Sequence, residues 1–359
     1  MDERLVLVKS VVISLVLALA SSACAAMTLP GDLKPPVEDG IWLRPDTSGL
    51  AEPTIGFKQG IRIGLWPAAS GPRGIIRIYA PYVFPDQDRH LINFIAIEPI
   101  VGGRRSLSEL ERSTLDDMRG KRLWFTDEID YSPKPALPWV CSKGKTGTIR
   151  VGKRDVRTLS VVINFEKLDN GAQPIVVASF REDRPNEVAF KVYSAKDGAA
   201  MESCVLTATM GNYSRARLLW LKDEVVDSRK LWPGYTGSDF VGTPDYPLEK
   251  ARKDKDGTYT VAITPSETDL AAEKVSRDWW TFTGLVSTQY WRKYSGTVKS
   301  PVLIRVNGRA VYYGTRAPLP GGVAFENFEL IEKYEPGVES AFGITLKTPA
   351  QMGWKTENK

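Results

Sequence analysis

The stretch EPIVGGRRSLSELERS, residues 98–113, gathers ionisable groups at spacings that can do chemistry. Glu98, Glu109 and Glu111 flank Arg104 and Arg105. Two carboxyl groups held roughly 5–10 Å apart perform acid–base work on a glycosidic bond. Paired guanidinium groups hold a sugar carboxylate or sulfate through forked hydrogen bonds. Gly102-Gly103 supplies a tight turn that presents the arginines. The same residues also read as a capped helix with surface charge, because Ser106-x-x-Glu109 has capping-box spacing and would engage Glu109 at the helix start.

His90 is the single histidine and lies in a polar turn, PDQDRHL. Its ordinary pKa near 6.5 suits a general base, and its other reading is a solvated turn residue. One histidine excludes any mechanism that needs two. Catalytic candidates are therefore His90, Glu98 and Glu109. No nucleophile elbow, zinc-binding H-E-x-x-H, phosphate-binding glycine loop or calcium loop is present, so neither a metal nor a cofactor is expected.

A second constellation is aromatic. Trp279, Trp280, Tyr290 and Trp291 lie in WWTFTGLVSTQYW, with Arg292 next in the chain. On a strand, adjacent residues face opposite ways, so one member of each pair is expected in the core and its neighbour outside. An exposed ring stacks on the CH face of a sugar. Trp232 and Tyr235, in the Gly/Pro-rich stretch WPGYTGSDFVGTPDYP, form a second such platform. With Arg104 and Arg105, these are the candidate carbohydrate-binding residues. The other reading of each ring is ordinary core and surface.

Strands must position these groups. VRTLSVVINFE (156–166) alternates with period two, which puts Leu159, Val161, Ile163 and Phe165 on one face and Ser160, Asn164 and Glu166 on a wet one. LINFIAIEPIV, PIVVASFR, EVAFKVYS, MESCVLTATM, TYTVAIT and VAFENFELIEKY read as further strands. Asn307-Gly308, inside PVLIRVNGRAVYYGT, predicts a two-residue hairpin loop with Val306 opposite Arg309 and Ile304 opposite Val311. Short helices are expected over 106–118 and 266–275; RARLLWLKDEVV (215–226) suits either a strand or a turn. Many strands, few helices and frequent turns predict an all-β fold, a large antiparallel β-sandwich with one or two short helices.

The N-terminus has a charge at Lys9, an apolar run from Val11 to Ala20, and small residues at Ala23 and Ala25. This is the pattern of a secretory signal cleaved after Ala25, and the run is too short to span a bilayer. The expected organisation is a signal peptide over 1–25, an extended lead-in over 26–60, a sandwich domain over 61–348 and a C-terminal tail over 349–359. The expected location is secreted or periplasmic. Cys24 offers a lipid-anchor alternative, although Ser21 stands where a lipoprotein signal has an aliphatic residue. After cleavage, Cys141 and Cys204 remain, and in an oxidising compartment they either pair or stay separate. The leader holds two acids and two bases, so the net charge stays at the +5 of the whole chain. The bases show no dense run and no nucleic-acid motif, so nucleic acid is not an expected partner.

The segments INFIAIEPIVGGRRSLSELERS and PLPGGVAFENFEL resemble those of exported, β-rich bacterial proteins of unassigned activity. The resemblance implies polysaccharide work and carries over no catalytic residue. The expected function is recognition of a polysaccharide or oligosaccharide, with an anionic polysaccharide in view. The alternatives are a polysaccharide lyase or glycoside hydrolase on the same fold, and a structural cell-envelope protein.

Overall fold

The computed structural model describes residues 37–46, 54–65, 73–83, 91–135, 142–209, 215–242, 244–266, 287–312 and 317–355. The signal-peptide region, His90, Cys141, Trp279, Trp280 and the expected helix past Ser266 lie outside the described residues.

The chain forms two eleven-stranded sheets, antiparallel throughout, and passes between them repeatedly. It opens in the first sheet with β1 (Val37–Asp39), β2 (Trp42–Arg44), β3 (Thr54–Phe57), β4 (Arg62–Gly64), β5 (Ile75–Tyr79), β6 (Leu91–Val101) and β7 (Arg104–Arg105). It crosses to the second for β8 (Leu123–Thr126), β9 (Lys145–Val151), β10 (Arg154–Phe165), β11 (Pro174–Arg181) and β12 (Glu187–Ser194). β13 (Ser203–Thr209) returns to the first sheet, and β14 (Ala216–Trp220) and β15 (Val225–Asp227) lie in the second. Then follow β16 (Asp245–Pro247) in the first sheet and β17 (Arg252–Lys253), β18 (Tyr259–Pro265) and β19 (Thr288–Lys293) in the second. β20 (Val302–Arg309) and β21 (Ala324–Glu332) complete the first sheet and β22 (Glu339–Thr345) the second. Two four-residue helices, α1 (Ser228–Leu231) and α2 (Pro349–Met352), accompany them. This is the expected all-β sandwich. Among the described residues no helix is long and apolar enough to cross a membrane.

Period-two patterning builds the core. Ile95 and Ile97 of β6, Leu206 of β13, Phe328 and Leu330 of β21, and Ile304 and Val306 of β20 share one buried cluster with Leu159, Val161, Ile163 and Phe165 of β10. The opposite face of β10 is drier than its sequence predicts. Val162, Asn164 and Glu166 are buried, because residues around Ile129 and Tyr193 and the carboxylate-binding turn at Thr114 close over them. Strands β1 to β3 fall within the expected lead-in, and β14 and β15 resolve 215–226 as strand, turn and strand.

Asn307-Gly308 is not a hairpin tip. Both residues lie within β20, where Asn307 alone occupies the register between Val306↔Phe328 and Gly308↔Phe325. Glu326 and Asn327 of β21 therefore face one residue, which is a β-bulge. Asn307 stabilises it by accepting the Asn327 amide at 3.0 Å. The glycine serves close packing, since a Cβ on Gly308 would come within 2.6 Å of the Trp232 ring. The strands continue for one more pair, Arg309↔Ala324, and an isolated bridge joins Val311 to Pro318 beyond them. Gly308→Ala should therefore destabilise the fold by about 1–3 kcal/mol in urea unfolding, through the clash with the Trp232 ring.

Candidate functional site

The turn that does demand glycine is Gly102-Gly103. Val101 pairs with Arg104 across it, and both glycines have positive φ, +57° and +73°. This is the geometry of a two-residue type I′ loop. It folds β7 back along β6 and aims Arg105 across the outer face of the first sheet.

There Arg105 meets three partners. It donates to Glu98 of β6, and its Nη2 lies 2.7 Å from Glu329 Oε1 and 3.2 Å from Thr207 Oγ1. Thr207 also donates to Glu329 at 3.0 Å. Glu98 and Glu329 are only 3% and 1% exposed, while the Arg105 side chain is half-buried. The sheet register extends this group into a row: Thr207 pairs with Glu329, Glu329 with Arg305, and Arg305 with Asp245. Arg305 forks onto Asp245 at 2.6 and 2.8 Å. Four strands thus contribute alternating acceptors and donors in one line.

Burial pushes the Glu98 carboxyl up to about 8, and Glu329 and Glu109 add to the rise against the pull of Arg105. Burial also raises Glu109, and one oxygen each of Glu109 and Glu329 has no hydrogen-bond partner. Arg105 is held firmly charged: burial opposes its charge, but Glu98 and Glu329 more than offset it. Glu98 can therefore keep its proton at neutral pH, next to the contact between Arg105 and Glu329. A carboxyl that keeps its proton near neutral pH is a group that glycosidic cleavage can use as its acid. Four positions past Arg305 along β20, Arg309 lies 4.8 Å over the ring of Phe240, which is 53% exposed. Beside Arg309, Glu326 is pushed up to about 7 by burial, and Arg309 opposes that rise.

These protonation states make stability pH-dependent. Glu98 has a folded pKa near 8 against an ordinary 4.5, so the folded chain binds a proton that the unfolded chain releases between those values. Its contribution is full below the unfolded pKa and is lost as pH rises toward 8. Glu326 acts in the same direction up to about 7. Urea midpoints should fall by the equivalent of a few kcal/mol between about pH 5 and about pH 8.5. Glu98→Gln should flatten that slope; an equal slope in the variant would contradict the assignment.

The sequence candidates divide between several places. Glu98, Glu109 and Arg105 come together. Arg104 stays exposed at the turn, and its carbonyl accepts from Asn170 at 3.0 Å. The expected helix over 106–118 is absent: this segment is a string of turns. Ser106 accepts the Asn170 amide instead of capping a helix, and Ser108 is buried between Gly74 and Ile97. Tyr290 and Trp291 do not form an outward platform, for both are buried, at 4% and 1%. Trp291 fills the core, while Trp220, Ala262 and Trp354 cover Tyr290 on the outer face of the second sheet. The expected tail thus carries a capped helix and a buried Trp354. Arg292 is ion-paired to Glu187 at 3.2 Å, and the Tyr290 hydroxyl donates to the same carboxylate at 3.0 Å. Trp232 is half-buried against Phe325, and the Tyr235 hydroxyl is turned onto the Asp239 carbonyl. Cys204 is half-buried, and burial pushes its thiol up; the Cys141–Cys204 pairing lies outside the described residues. No group of three or more His, Cys, Asp or Glu side chains among the described residues is arranged to hold a metal ion.

Sequence reasoning missed Glu329, Thr207, Arg305, Asp245 and Glu326. A signal existed for two of them: Glu326 and Glu329 interrupt the apolar pattern of VAFENFELIEKY.

No family model, curated protein or solved structure matches this chain. The class that the fold defines is a two-sheet antiparallel β-sandwich, and its polar row across the first sheet defines the candidate site.

Proposed function

We propose that this chain is an exported carbohydrate-recognising protein, secreted or periplasmic, whose sugar-binding surface is the outer face of the first sheet around Arg105 and Arg305. The carrying observation is the cross-strand row Thr207–Glu329–Arg305–Asp245, joined by Arg105, in which the Arg105, Arg305 and Asp245 side chains are partly exposed. Sugar hydroxyls both donate and accept, so they pair with the accessible Arg105, Arg305 and Asp245 side chains, which buried Glu329 and Thr207 hold in place from beneath. Exposed Phe240 lies on the same side, stacked by Arg309, and offers an apolar face for a ring. The leader sequence supports export.

The test is retention of the purified protein in affinity gels cast with a panel of neutral and acidic polysaccharides. Arg305→Ala should cut retention about tenfold, as loss of a forked charged contact does, while the melting temperature changes little. Equal retention of variant and wild type on every polymer would remove the row from the binding surface.

A second reading is a glycoside hydrolase or polysaccharide lyase at the same place. The raised Glu98 carboxyl next to the ion-paired Glu329 favours it. Release of reducing ends, or of unsaturated products absorbing near 235 nm, that disappears in Glu98→Gln would establish catalysis. Binding without either product leaves recognition alone.

A further inference from the structure

The first half of β10 and all of β9 form a two-stranded ribbon joined at Gly152-Lys153, with Val151 paired to Arg154. Every residue of β9 is exposed, and β9 pairs with no other strand among the described residues. Residues 143–158 hold Lys143, Lys145, Arg150, Lys153, Arg154 and Arg157 against a single acid, Asp155. Six bases less one acid is a net +5, the same as the formal charge of the whole chain. The remainder of the sequence is balanced, and with the contacting Glu128 and Glu182 counted the ribbon surface still carries +3. Three of the bases have acidic partners: Lys145 with Glu128, Arg150 with Asp155 at 2.8 Å, and Arg157 with Glu182 at 2.7 Å. Lys143, Lys153 and Arg154 are exposed and make no salt bridge among the described residues.

We infer that this ribbon is a docking surface for an acidic polysaccharide, a chain bearing carboxylates or sulfates at regular intervals. The inference rests on the carbohydrate reading above and adds a second surface, on the other sheet, with its own ligand chemistry. Charge complementarity is the first argument: a localised positive field concentrates a polyanion. Shape is the second. A paired ribbon is an extended, ordered ladder, with Ile149 and Val151 half-open between the bases, and an extended polymer can lie along it. A bilayer surface is the poorer match, because the tip is Gly152-Lys153 and carries no aromatic or long apolar side chain to enter the acyl boundary.

The experiment compares wild type with the charge-reversed variant K143E/K153E/R154E on gels containing polygalacturonate, and in sedimentation with phosphatidylglycerol vesicles. All three positions are exposed, so the melting temperature should stay near that of wild type; a second variant, K153S/R154S, removes charge without reversing it. Wild type should be retained by polygalacturonate, less so as salt is raised, because screening is nearly complete beyond about 8–10 Å at physiological ionic strength. The reversed variant should lose retention at least tenfold and the serine variant by a smaller factor. Equal retention of all three proteins would overturn the inference, as would wild type that binds the vesicles and ignores polygalacturonate. Failure of the ribbon is distinguishable from failure of the sugar-binding row. Neutral polysaccharides lost by Arg305→Ala and kept by the reversed ribbon would uphold the row alone.

Discussion

Replacing Trp291 with alanine is expected to destabilise the protein by about 3–5 kcal/mol, the range for removing a large aromatic side chain from a packed interior. The indole is 1% exposed and lies between the sheets. Its ring meets Phe342 at 5.1 Å in an edge-on arrangement, and its Nε1 donates to the carbonyl of Phe328 at 2.8 Å. Trp291 belongs to β19 and Phe328 to β21, so this hydrogen bond ties one sheet to the other. Alanine removes the packing and leaves the carbonyl without that donor. Phenylalanine separates the two effects, since it keeps most of the apolar volume and loses the hydrogen bond, for an expected loss nearer 1 kcal/mol before repacking. Urea unfolding of both variants reads the difference. A Trp291→Ala protein that unfolds with wild type and loses polysaccharide retention would restore the ring as a binding platform.

The same residue marks the limit of what periodicity can tell. Alternation correctly separates Tyr290 from Trp291 onto opposite faces of β19. It does not reveal that β19 lies inside the second sheet, or that Trp354 and the same-face Trp220 of β14 pack Tyr290 into an apolar cluster. Gly343, on the neighbouring strand, allows the Tyr290 ring to lie flat, for a Cβ there would be 2.1 Å from it. These partners are distant in sequence, and no local pattern connects them. The all-β class, in contrast, follows from short-range alternation repeated along the chain, and local signals suffice for it.

Turn and helix signals fail for a related reason. Asn-Gly has the chemistry of a type I′ loop, but Gly308 answers to the Trp232 ring, and the chain instead makes that loop at Gly102-Gly103. The Ser106-x-x-Glu109 spacing describes a capping box, but long-range partners claim the segment: Asn170 donates to Ser106, and buried Lys121 binds the Arg112 carbonyl and Asp169. In the site itself, Glu98, Glu109 and Arg105 were legible because they are neighbours in sequence. Glu329 was not, because pairing of β13 with β6 and of β21 with β13 brings it beside an arginine 224 residues away.

Removing that arginine should have the second large effect. Arg105→Ala leaves Glu98, Glu329 and Thr207 facing one another without their shared cation, two of them buried carboxyls. Breaking one side of a buried ion pair typically destabilises by about 3–5 kcal/mol, because the remaining charge keeps its desolvation penalty and loses its partner. The loss should depend on pH. Near pH 5 Glu98 carries its proton and adds no charge to the site, so the destabilisation should shrink; near pH 8.5 Glu98 is charged and the loss should be greatest. Lysine in place of Arg105 keeps the charge but is one compact ammonium, unable to fork to Glu98, Glu329 and Thr207 at once, and should recover only part of the stability. Adding Glu98→Gln and Glu329→Gln to the alanine variant should recover more, because neutral amides no longer need a cation. A double-mutant cycle over Arg105 and Glu329, read by urea unfolding at both pH values, isolates their coupling from the packing changes. Coupling that is near zero at both would mean that water already screens the pair, and the outer face of the first sheet would then lack the half-enclosed polar row on which its proposed role depends.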